Sequence, residues 1–269
     1  MKHTAWLMIL ALLSVVLSSC SDNGGQPQSS SRPYEVTLVG KAQQGLTEAL
    51  SQNVEGLPQP EPMFDVSRRK SLDEWSKLSR AVVICQRGRQ FEVKQDVWAR
   101  PQIVVYTDGS NPQKVVRMLN AFEMGQEVKT LRRSHNTKAG DAIRKMFGLE
   151  MLIPEGLSSS MVRPGFIWLS NNTPQGMKNI VVLRGNVNEA LAKNIKGETD
   201  EMHMRLVAPG QKRGLWEMVG DAMGGPYVQR QVGDVTVIAF VYAPESKKRN
   251  LMRQLEAALY TIKQQHNGK

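Results

Sequence analysis

The sequence predicts an α+β fold in which helices cover an antiparallel or mixed β-sheet and a long helix lies at the C-terminus. Short β-branched runs and amphipathic stretches follow one another without the strict strand–helix–strand rhythm of a parallel α/β protein. Two such runs, residues 227–232 and 235–242, flank Gly233-Asp234, which is typical of a two-residue hairpin turn. Beyond Pro244, apolar residues recur at the spacing of one helical face, and they are Leu251, Met252, Leu255, Ala258, Leu259 and Ile262.

The first half of the chain's globular part is predicted to contain both strands and helices. The run Ser-Leu-Asp-Glu at residues 71–74 has the form of a capping box and predicts a short helix through Leu78. Asn111 and Pro112 predict the start of another helix. Three prolines within residues 56–62 exclude regular structure there, because proline lacks a backbone N–H. The remaining elements are strands at residues 36–39, 82–85 and 103–106 and a helix over about 41–52.

The second half is predicted to continue in the same mixed pattern. A helix ending at Phe147 is expected to stop at Gly148, because glycine commonly follows the last residue of a helix. These elements complete a single α+β domain predicted over residues 34–266. The remaining predicted elements are this helix at 141–147, strands at 151–153, 166–169 and 180–183, and a helix near 188–195.

The N-terminus has the features of an export signal. Lys2 gives it a positive start, and an almost unbroken apolar run follows over residues 5–16. That run is too short to span a bilayer of ~30 Å but fits the core of a secretory signal. Leu-Ser-Ser-Cys at residues 17–20 resembles the lipobox of bacterial lipoproteins. The sequence therefore predicts a signal peptide over residues 1–19 and lipid attachment at the thiol of Cys20.

Residues 20–33 are predicted to form a lipidated flexible tether. They contain Ser, Gly, Gln, Asn and Pro but no large apolar residue, a composition typical of linkers. Ser21 follows the cysteine where an aspartate favours retention at the inner membrane, so the sequence favours the outer membrane. Whether the domain faces the periplasm or the exterior stays open.

The charge balance favours anionic partners. The chain has 35 Lys and Arg against 25 Asp and Glu, a net charge of +10. Its basic clusters are short and are not interleaved with the aromatic residues of a single-strand platform. Together with the export signal, this argues against a nucleic-acid partner. The predicted partners are the membrane, through the lipid anchor, and an envelope protein, an anionic glycan or a lipid headgroup.

Several segments together resemble the bacterial lipoprotein family known as domain of unknown function 4837. The resemblance implies an envelope lipoprotein but no activity, substrate, cofactor or site residue. The segments follow one another in order over nearly the whole chain after Cys20, and they lie at residues 56–65, 96–102, 166–169, 213–216, 223–226 and 240–244.

No catalytic residue, metal site or cofactor is predicted. Ser67 and Lys70 have the S-x-x-K spacing of serine acyl enzymes, but the S-D-N and K-T-G boxes of those enzymes are missing. Cys85 ends a strand-like apolar run and is interpreted as a small buried hydrophobic residue. The histidines after the signal are far apart and offer no ligand pair at helical spacing, and they are His135, His203 and His266.

A candidate ligand or partner surface joins Arg213 and Trp216 to Gly224 and Gly225. Paired glycines let the backbone approach a ligand or another strand closely, so the competing interpretation is a tight turn before the strand at Tyr227. The tryptophans of the domain likewise either line a ligand cleft or belong to the core, and they are Trp75, Trp98, Trp168 and Trp216.

Two functions follow from these observations. The first is a membrane-anchored envelope lipoprotein with a non-enzymatic binding or assembly role. The alternative is an envelope or surface hydrolase acting on glycans or peptides, with catalytic carboxylates among Glu61, Asp65 and Asp221. That alternative requires two carboxylates about 5–9 Å apart, a separation that the sequence does not determine.

Overall fold

A computed structural model describes residues 25–173 and 176–264. The predictions for the signal peptide and for lipid attachment at Cys20 lie outside these residues. Within them the fold is α+β, with one mixed and one larger antiparallel sheet and helices packed on both, as the sequence predicts.

The first sheet is mixed and is built from residues before 108. Its order is β2-β1-β3-β5-β4, with β4 antiparallel to β5 and the other neighbours parallel. Its elements are β1 (Glu35–Gly40), α1 (Gln44–Ser51), β2 (Asp65–Arg69), α2 (Glu74–Lys77), β3 (Ala81–Cys85), β4 (Glu92–Gln95) and β5 (Ile103–Thr107).

Two helices cover one face of this sheet. They are α1 and α3 (Pro112–Arg133), and they bury Leu46 and Leu119 against Val36 and Val83 of the strands. The opposite face of the sheet packs against loop residues. Leu72, Val97 and Trp98 are half buried there against Val39, Val82 and Val104. The central strands β1, β3 and β5 are mostly apolar on both faces because both faces are covered.

The second sheet is antiparallel and has the order β10-β11-β12-β13-β9-β8-β7. The short strands β6 and β14 pair with each other outside it. The chain passes in turn through α4 (Thr137–Phe147), β6 (Leu149–Glu150), β7 (Ser158–Arg163), β8 (Phe166–Ser170), β9 (Met177–Arg184), α5 (Val187–Asn194), β10 (His203–Leu206), β11 (Arg213–Val219), β12 (Gly224–Val232), β13 (Val235–Tyr242), α6 (Arg249–Tyr260) and β14 (Lys263–Gln264).

Helices pack on both faces of the antiparallel sheet. On one face, α4 and α6 bury Ile143 and Leu255 against Val182 and Val237. On the other face, α5 places Leu191 in a cluster with Trp216, Tyr227 and Phe240. The strands of each sheet therefore have their own clusters of buried residues, and a single domain over residues 34–266 stays a prediction.

Several predicted helix ends are confirmed by their caps. The side chain of Asn111 accepts a hydrogen bond from the N–H of Lys114 at the start of α3. Gly148 ends α4 in the left-handed conformation, which glycine adopts without steric cost. The short helix α2 begins differently from the prediction, because Asp73 and Ser76 form the capping box rather than Ser71 and Glu74.

The prediction of a long C-terminal helix is wrong. The helix α6 has 12 residues, whereas α3 has 22. Thr261 ends α6, and the chain then turns so that β14 pairs with β6. Ile262 is buried beyond the helix end, which is why it fits the apolar stripe of the sequence. The predicted strand at 151–153 is also wrong, since these residues are packed in irregular structure.

The predicted tether extends too far into the chain. Residues 26–30 lie against the first sheet's loops instead of running free: Arg100 donates from its N–H to Pro27, and Ser29 donates to Arg100. The N–H of Ser30 donates to the carbonyl of Leu78 at 2.9 Å. The polar composition of this segment is typical of a linker. Its backbone N–H and C=O groups nevertheless form hydrogen bonds to other segments, as those of a β-strand do.

Removing this docked segment is expected to weaken the fold slightly. A chain that begins at Arg32 keeps the buried Tyr34 and should still fold cooperatively. Compared with a chain that begins at Gly25, its free energy of unfolding should be lower by about 1 kcal/mol, because three backbone hydrogen bonds of ~0.5–1.5 kcal/mol each are partly offset by ordering entropy. Urea denaturation of the two chains measures the difference, and identical midpoints would show that the docked segment adds no stability.

Candidate functional site

A cleft beside the edge of β12 is the best-formed candidate binding site. Its volume is about 720 Å³, within the range of ligand sites in proteins. It lies where the loop before β11, the strand β12 and the end of α6 meet, and α3 closes it with Met124. The lining residues are Met124, Val187, Pro209, Gly210, Lys212, Arg213, Val228, Gln229, Arg230, Gln231, Thr236, Glu256, Leu259 and Tyr260.

The strand β12 has an open edge in this cleft. Its neighbour β11 begins with Arg213 opposite Val228, so the last residues of β12 extend beyond it. Gln229 still donates from its N–H to the carbonyl of Lys212 at 2.8 Å. Backbone groups alternate along an antiparallel strand, so the N–H and C=O of Gln231 point to the same side as those of Gln229. They therefore face the side that β11 does not reach.

Cationic side chains dominate the cleft. Three of its lining residues are cationic, Lys212, Arg213 and Arg230, and one, Glu256, is acidic. Arg213 contacts this carboxylate at 3.2 Å, and Arg230 donates to the carbonyl of Leu259 at 2.9 Å. Tyr260 is 71% exposed at the rim. The cleft therefore combines a positive rim, an exposed aromatic ring and open strand backbone, an arrangement suited to an acidic extended chain.

The structure separates the residues of the predicted surface. Arg213 lines the cleft, but Trp216 is buried and donates from Nε1 to the carbonyl of Val241 at 3.1 Å. A Cβ on Gly225 would lie 2.1 Å from that same carbonyl oxygen, and one on Gly224 would lie 2.9 Å from the oxygen of Trp216. Placing Trp216 and Gly225 on a ligand surface is therefore wrong, because the glycines bring strands together over the indole ring.

The tryptophans occupy different environments. Trp98 and Trp168 are half buried, and Trp168 donates from Nε1 to Asn179 at 3.0 Å. Trp75 is 78% exposed on α2. None of these residues, nor Trp216, lines the cleft. The interpretation of the tryptophans as core residues holds for Trp216, while Trp75 is an exception.

Two of the candidate acids bind groups at the start of α6. Glu61 is buried, and its carboxylate accepts hydrogen bonds from the backbone N–H groups of Lys248 and Arg249 at 2.7 and 3.0 Å. It thereby satisfies donors at the start of α6 from a loop of the other half. Asp65 forms ion pairs with Arg249 at 2.8 Å and Lys247 at 3.3 Å.

The charges around Asp65 keep it ionised. Partial burial opposes ionisation, but the hydrogen bond and charge of Arg249, with help from Lys247, lower the pKa of Asp65 below its usual value. The third candidate acid, Asp221, lies in an exposed turn after β11 and accepts a hydrogen bond from the N–H of Ala222. Glu61 and Asp65 are therefore both engaged by groups at the start of α6, while Asp221 belongs to a separate turn.

A partly buried polar cluster lies where α3 and α6 face each other. Glu127 and Lys178 lie close enough to influence each other, and burial raises the pKa of Glu127 and lowers the pKa of Lys178. Burial also raises the pKa of Tyr34, whose ring lies under the guanidinium of Arg253 at 5.6 Å. Arg253 in turn pairs with Glu256 at 2.9 Å, which links this cluster to the cleft.

The other candidate groups for chemistry lie apart. Ser67 contacts Thr37 at 3.2 Å, while Lys70 is exposed beyond the end of β2. Cys85 is buried, and burial raises the pKa of its thiol. Within residues 25–173 and 176–264, no three His, Cys, Asp or Glu residues gather as a metal site would require. In the same residues no helix combines the length and apolarity needed to cross a bilayer.

Comparison with protein families divides the chain near the start of α4. Residues 136–261 match the model of a domain of unknown function (DUF4837). The matched segment contains the antiparallel sheet, α6 and every residue that lines the cleft except Met124. Residues 29–136 match a different model, described as domain of unknown function (DUF8532). The predicted resemblance to DUF4837 is thus confirmed for the segments after residue 136, while those at 56–65 and 96–102 lie in the other region.

Similarity to individual proteins is weak. No curated protein matches the chain. Among solved structures, a crystal structure of a protein from Bacteroides thetaiotaomicron VPI-5482 matches with 12% identity and a TM-score of 0.27. The match covers 45% of this chain and 47% of that one, so the chain spans less than half of the solved protein.

Proposed function

We propose that this protein is a membrane-anchored envelope lipoprotein, attached through Cys20 to the outer membrane, with a non-enzymatic binding or assembly role. The anchor rests on the apolar run at residues 5–16 and the Leu-Ser-Ser-Cys sequence directly after it. Two or three acyl chains, at ~0.8 kcal/mol for each buried methylene, hold such a protein on a membrane almost permanently. The lipid would keep the cleft close to other components of the envelope.

The open edge of β12 supports a binding role and favours a protein as the partner. An extended peptide adds to an exposed strand edge through backbone hydrogen bonds, and pockets for its side chains give specificity. The backbone of Gln231 offers such bonds, and Lys212 and Arg230 favour an acidic segment. We therefore propose that the cleft binds a short, acidic, extended segment of another envelope protein in preference to an anionic glycan.

The hydrolase alternative has less support. It needs one carboxyl group as an acid and a second carboxylate facing it across a substrate. Glu61 instead accepts two backbone hydrogen bonds, and Asp65 is paired with two cations. Both acids hold α6 against the first half of the chain, so their removal would act on stability before it acted on any chemistry.

Replacing Cys20 by alanine is expected to abolish lipid labelling. The thiol is the acceptor of the diacylglycerol group, and alanine offers no nucleophile. Cells fed a labelled fatty acid should incorporate it into the wild-type chain and not into Cys20→Ala, which should remain as uncleaved precursor. Cys85→Ala is the matched control and should be labelled normally. Labelling of Cys20→Ala would contradict the anchor.

Replacing Gln231 by proline is expected to abolish partner binding at the cleft. Proline removes the N–H that faces the open side of β12, whereas the neighbouring pairs with β13 keep their hydrogen bonds. A photo-reactive residue at Lys212 should cross-link to a protein in native membranes, and Gln231→Pro should lose that product. Gln231→Thr, which keeps the N–H, is the matched control. Cross-links that survive Gln231→Pro, or that contain carbohydrate, would contradict strand addition.

A further inference from the structure

Trp75 is the most exposed large hydrophobic side chain in the described part of the chain, at 78%. It lies on α2, which begins at the capping box of Asp73 and ends at Leu78. Single exposed apolar side chains are common on soluble domains, so the position of Trp75 beside the N-terminal segment is what distinguishes it. Its ring is free to make contacts outside the molecule, unlike that of Trp216.

The N-terminal segment passes directly beside this helix. Ser30 donates from its N–H to the carbonyl of Leu78, and the N–H of Leu78 donates to the carbonyl of Trp75 at 3.1 Å. Closer to the N-terminus, the side chain of Gln26 donates to the carbonyls of Asp96 and Val97. The segment therefore passes the end of α2 at Ser30 and reaches the loop at Val97, which packs on the same face of the first sheet as Leu72.

The distance from this face to the predicted anchor is short. Cys20 and Gly25 are separated by five peptide units in the sequence, and a fully extended chain of that length spans at most about 18 Å. A tether of residues 20–33 would have allowed the domain to stay clear of the bilayer. With residues 26–30 docked, an acylated Cys20 holds the face around Gly25 within that distance of the lipid.

The side chains around Trp75 suit a bilayer interface. In the register of the first sheet, Arg69 lies opposite Val39. Val39 packs with Leu72 on one face of the sheet, so Arg69 belongs to that face. Lys77 pairs with Glu74 at 2.6 Å on α2 itself. Tryptophan is enriched at the level of lipid headgroups, and long basic side chains extend toward them.

Arg100 adds a further basic side chain to this face. It is 76% exposed and forms an ion pair with Asp96 at 3.3 Å, beside the docked segment. Exposed pairs of this kind contribute little to stability, so the arginine is available to lipid phosphate. The face thus presents one exposed aromatic ring among charged groups: the acidic Asp73 and Glu74 precede it on α2, and basic side chains lie at Arg69, Lys77 and Arg100.

We propose that this face rests on the membrane to which the protein is anchored, with the ring of Trp75 inserted at the level of the lipid headgroups. The inference depends on the proposed lipid anchor, because only an acylated Cys20 brings the face close to a bilayer. Contact at Trp75 fixes the orientation of the molecule on the membrane, a property that the lipid alone does not provide.

Fluorescence quenching in lipid vesicles tests the orientation. The full chain, purified with its lipid, is reconstituted into vesicles of phosphatidylethanolamine and phosphatidylglycerol containing a phospholipid brominated near the headgroup end of its acyl chains. The wild-type tryptophan emission should be quenched, and Trp75→Phe should lose most of that quenching. Trp168→Phe is the matched control and should keep it. Trp75→Phe should melt as the wild type does, since Trp75 is exposed. Trp168→Phe removes the donor to the buried Asn179, so it should melt at a lower temperature but stay folded at the temperature of the assay.

The outcomes separate this inference from the lipoprotein proposal. Mass spectrometry of the N-terminal peptide shows whether Cys20 carries acyl chains. An acylated protein whose quenching is unchanged by Trp75→Phe, or is lost in Trp168→Phe, overturns the orientation and leaves the anchor intact. A protein without acyl chains at Cys20 overturns the anchor, and the orientation with it. An acylated protein whose quenching depends on Trp75 supports both.

Discussion

Leu255→Ala is expected to lower the free energy of unfolding by about 2–5 kcal/mol, among the largest effects of any single truncation in this protein. Leu255 lies at the centre of α6 and is 0% exposed in the cluster that joins α6 to the antiparallel sheet. Truncation removes its contacts and leaves a cavity that the β-strands beneath cannot close. For a domain of this size the melting temperature should fall by roughly 5–15 °C, measurable by circular dichroism.

Tyr260→Ala is the matched control on the same helix. Tyr260 is 71% exposed and lines the cleft, so its truncation should leave the melting curve unchanged and weaken partner binding. The two variants together separate the core face of α6 from the face at the cleft. An unchanged melting curve for Leu255→Ala would show that this face of α6 binds a partner instead of the sheet.

Local signals in the sequence predict the fold correctly at positions where a single residue determines the backbone conformation. Asn111 and Gly148 mark helix ends by side-chain capping and by left-handed backbone, and both signals are independent of tertiary contacts. The hairpin at Gly233 belongs to the same class, because the two-residue turn fixes the register of β12 and β13. These elements formed as predicted.

Elements that depend on distant partners escaped prediction. The strand β2 has the sequence Asp-Val-Ser-Arg-Arg and looks like a polar loop, yet it pairs in parallel with β1. The strand β7 contains three serines and is mostly exposed, so it shows no apolar alternation. An edge strand can be polar on both faces. The apolar pattern by which strands are found in a sequence is then missing. The docked segment at residues 26–30 was missed for the same reason.

The candidate site was predictable only in part. The sequence predicts Arg213 as part of a binding surface, and this residue lines the cleft. The open edge of β12 results from a difference in length between β12 and β11, which becomes visible once the register is known. Met124 and Tyr260 reach the cleft from helices on opposite sides of residue 136, so no local pattern connects them.

Glu123→Ala is the second change expected to have a large effect. Glu123 is 1% exposed on α3 and binds Arg80 through both carboxylate oxygens, with contacts of 2.8 to 3.0 Å. Arg80 is itself mostly buried just before β3, and its guanidinium lies 5.6 Å from the ring of Phe122. Removing the carboxylate leaves a buried guanidinium without its partner, which typically costs about 3–5 kcal/mol. Chemical denaturation at neutral pH measures the loss.

Glu127→Gln, one turn further along α3, is the control variant for Glu123→Ala. Burial and the nearby charge of Glu123 raise the pKa of Glu127 in the folded protein, against the opposing charges of Arg80 and Lys178. The folded state therefore holds a proton that the unfolded state has lost, and wild-type stability should gain from Glu127 as pH falls through its folded pKa. Glutamine removes that gain and also the cost of burying the charge. Glu127→Gln should thus equal or exceed the wild type in stability at neutral pH, with the difference shrinking in acid. If Glu123→Ala were no less stable than Glu127→Gln at neutral pH, the pair with Arg80 would not be holding α3 against the first sheet.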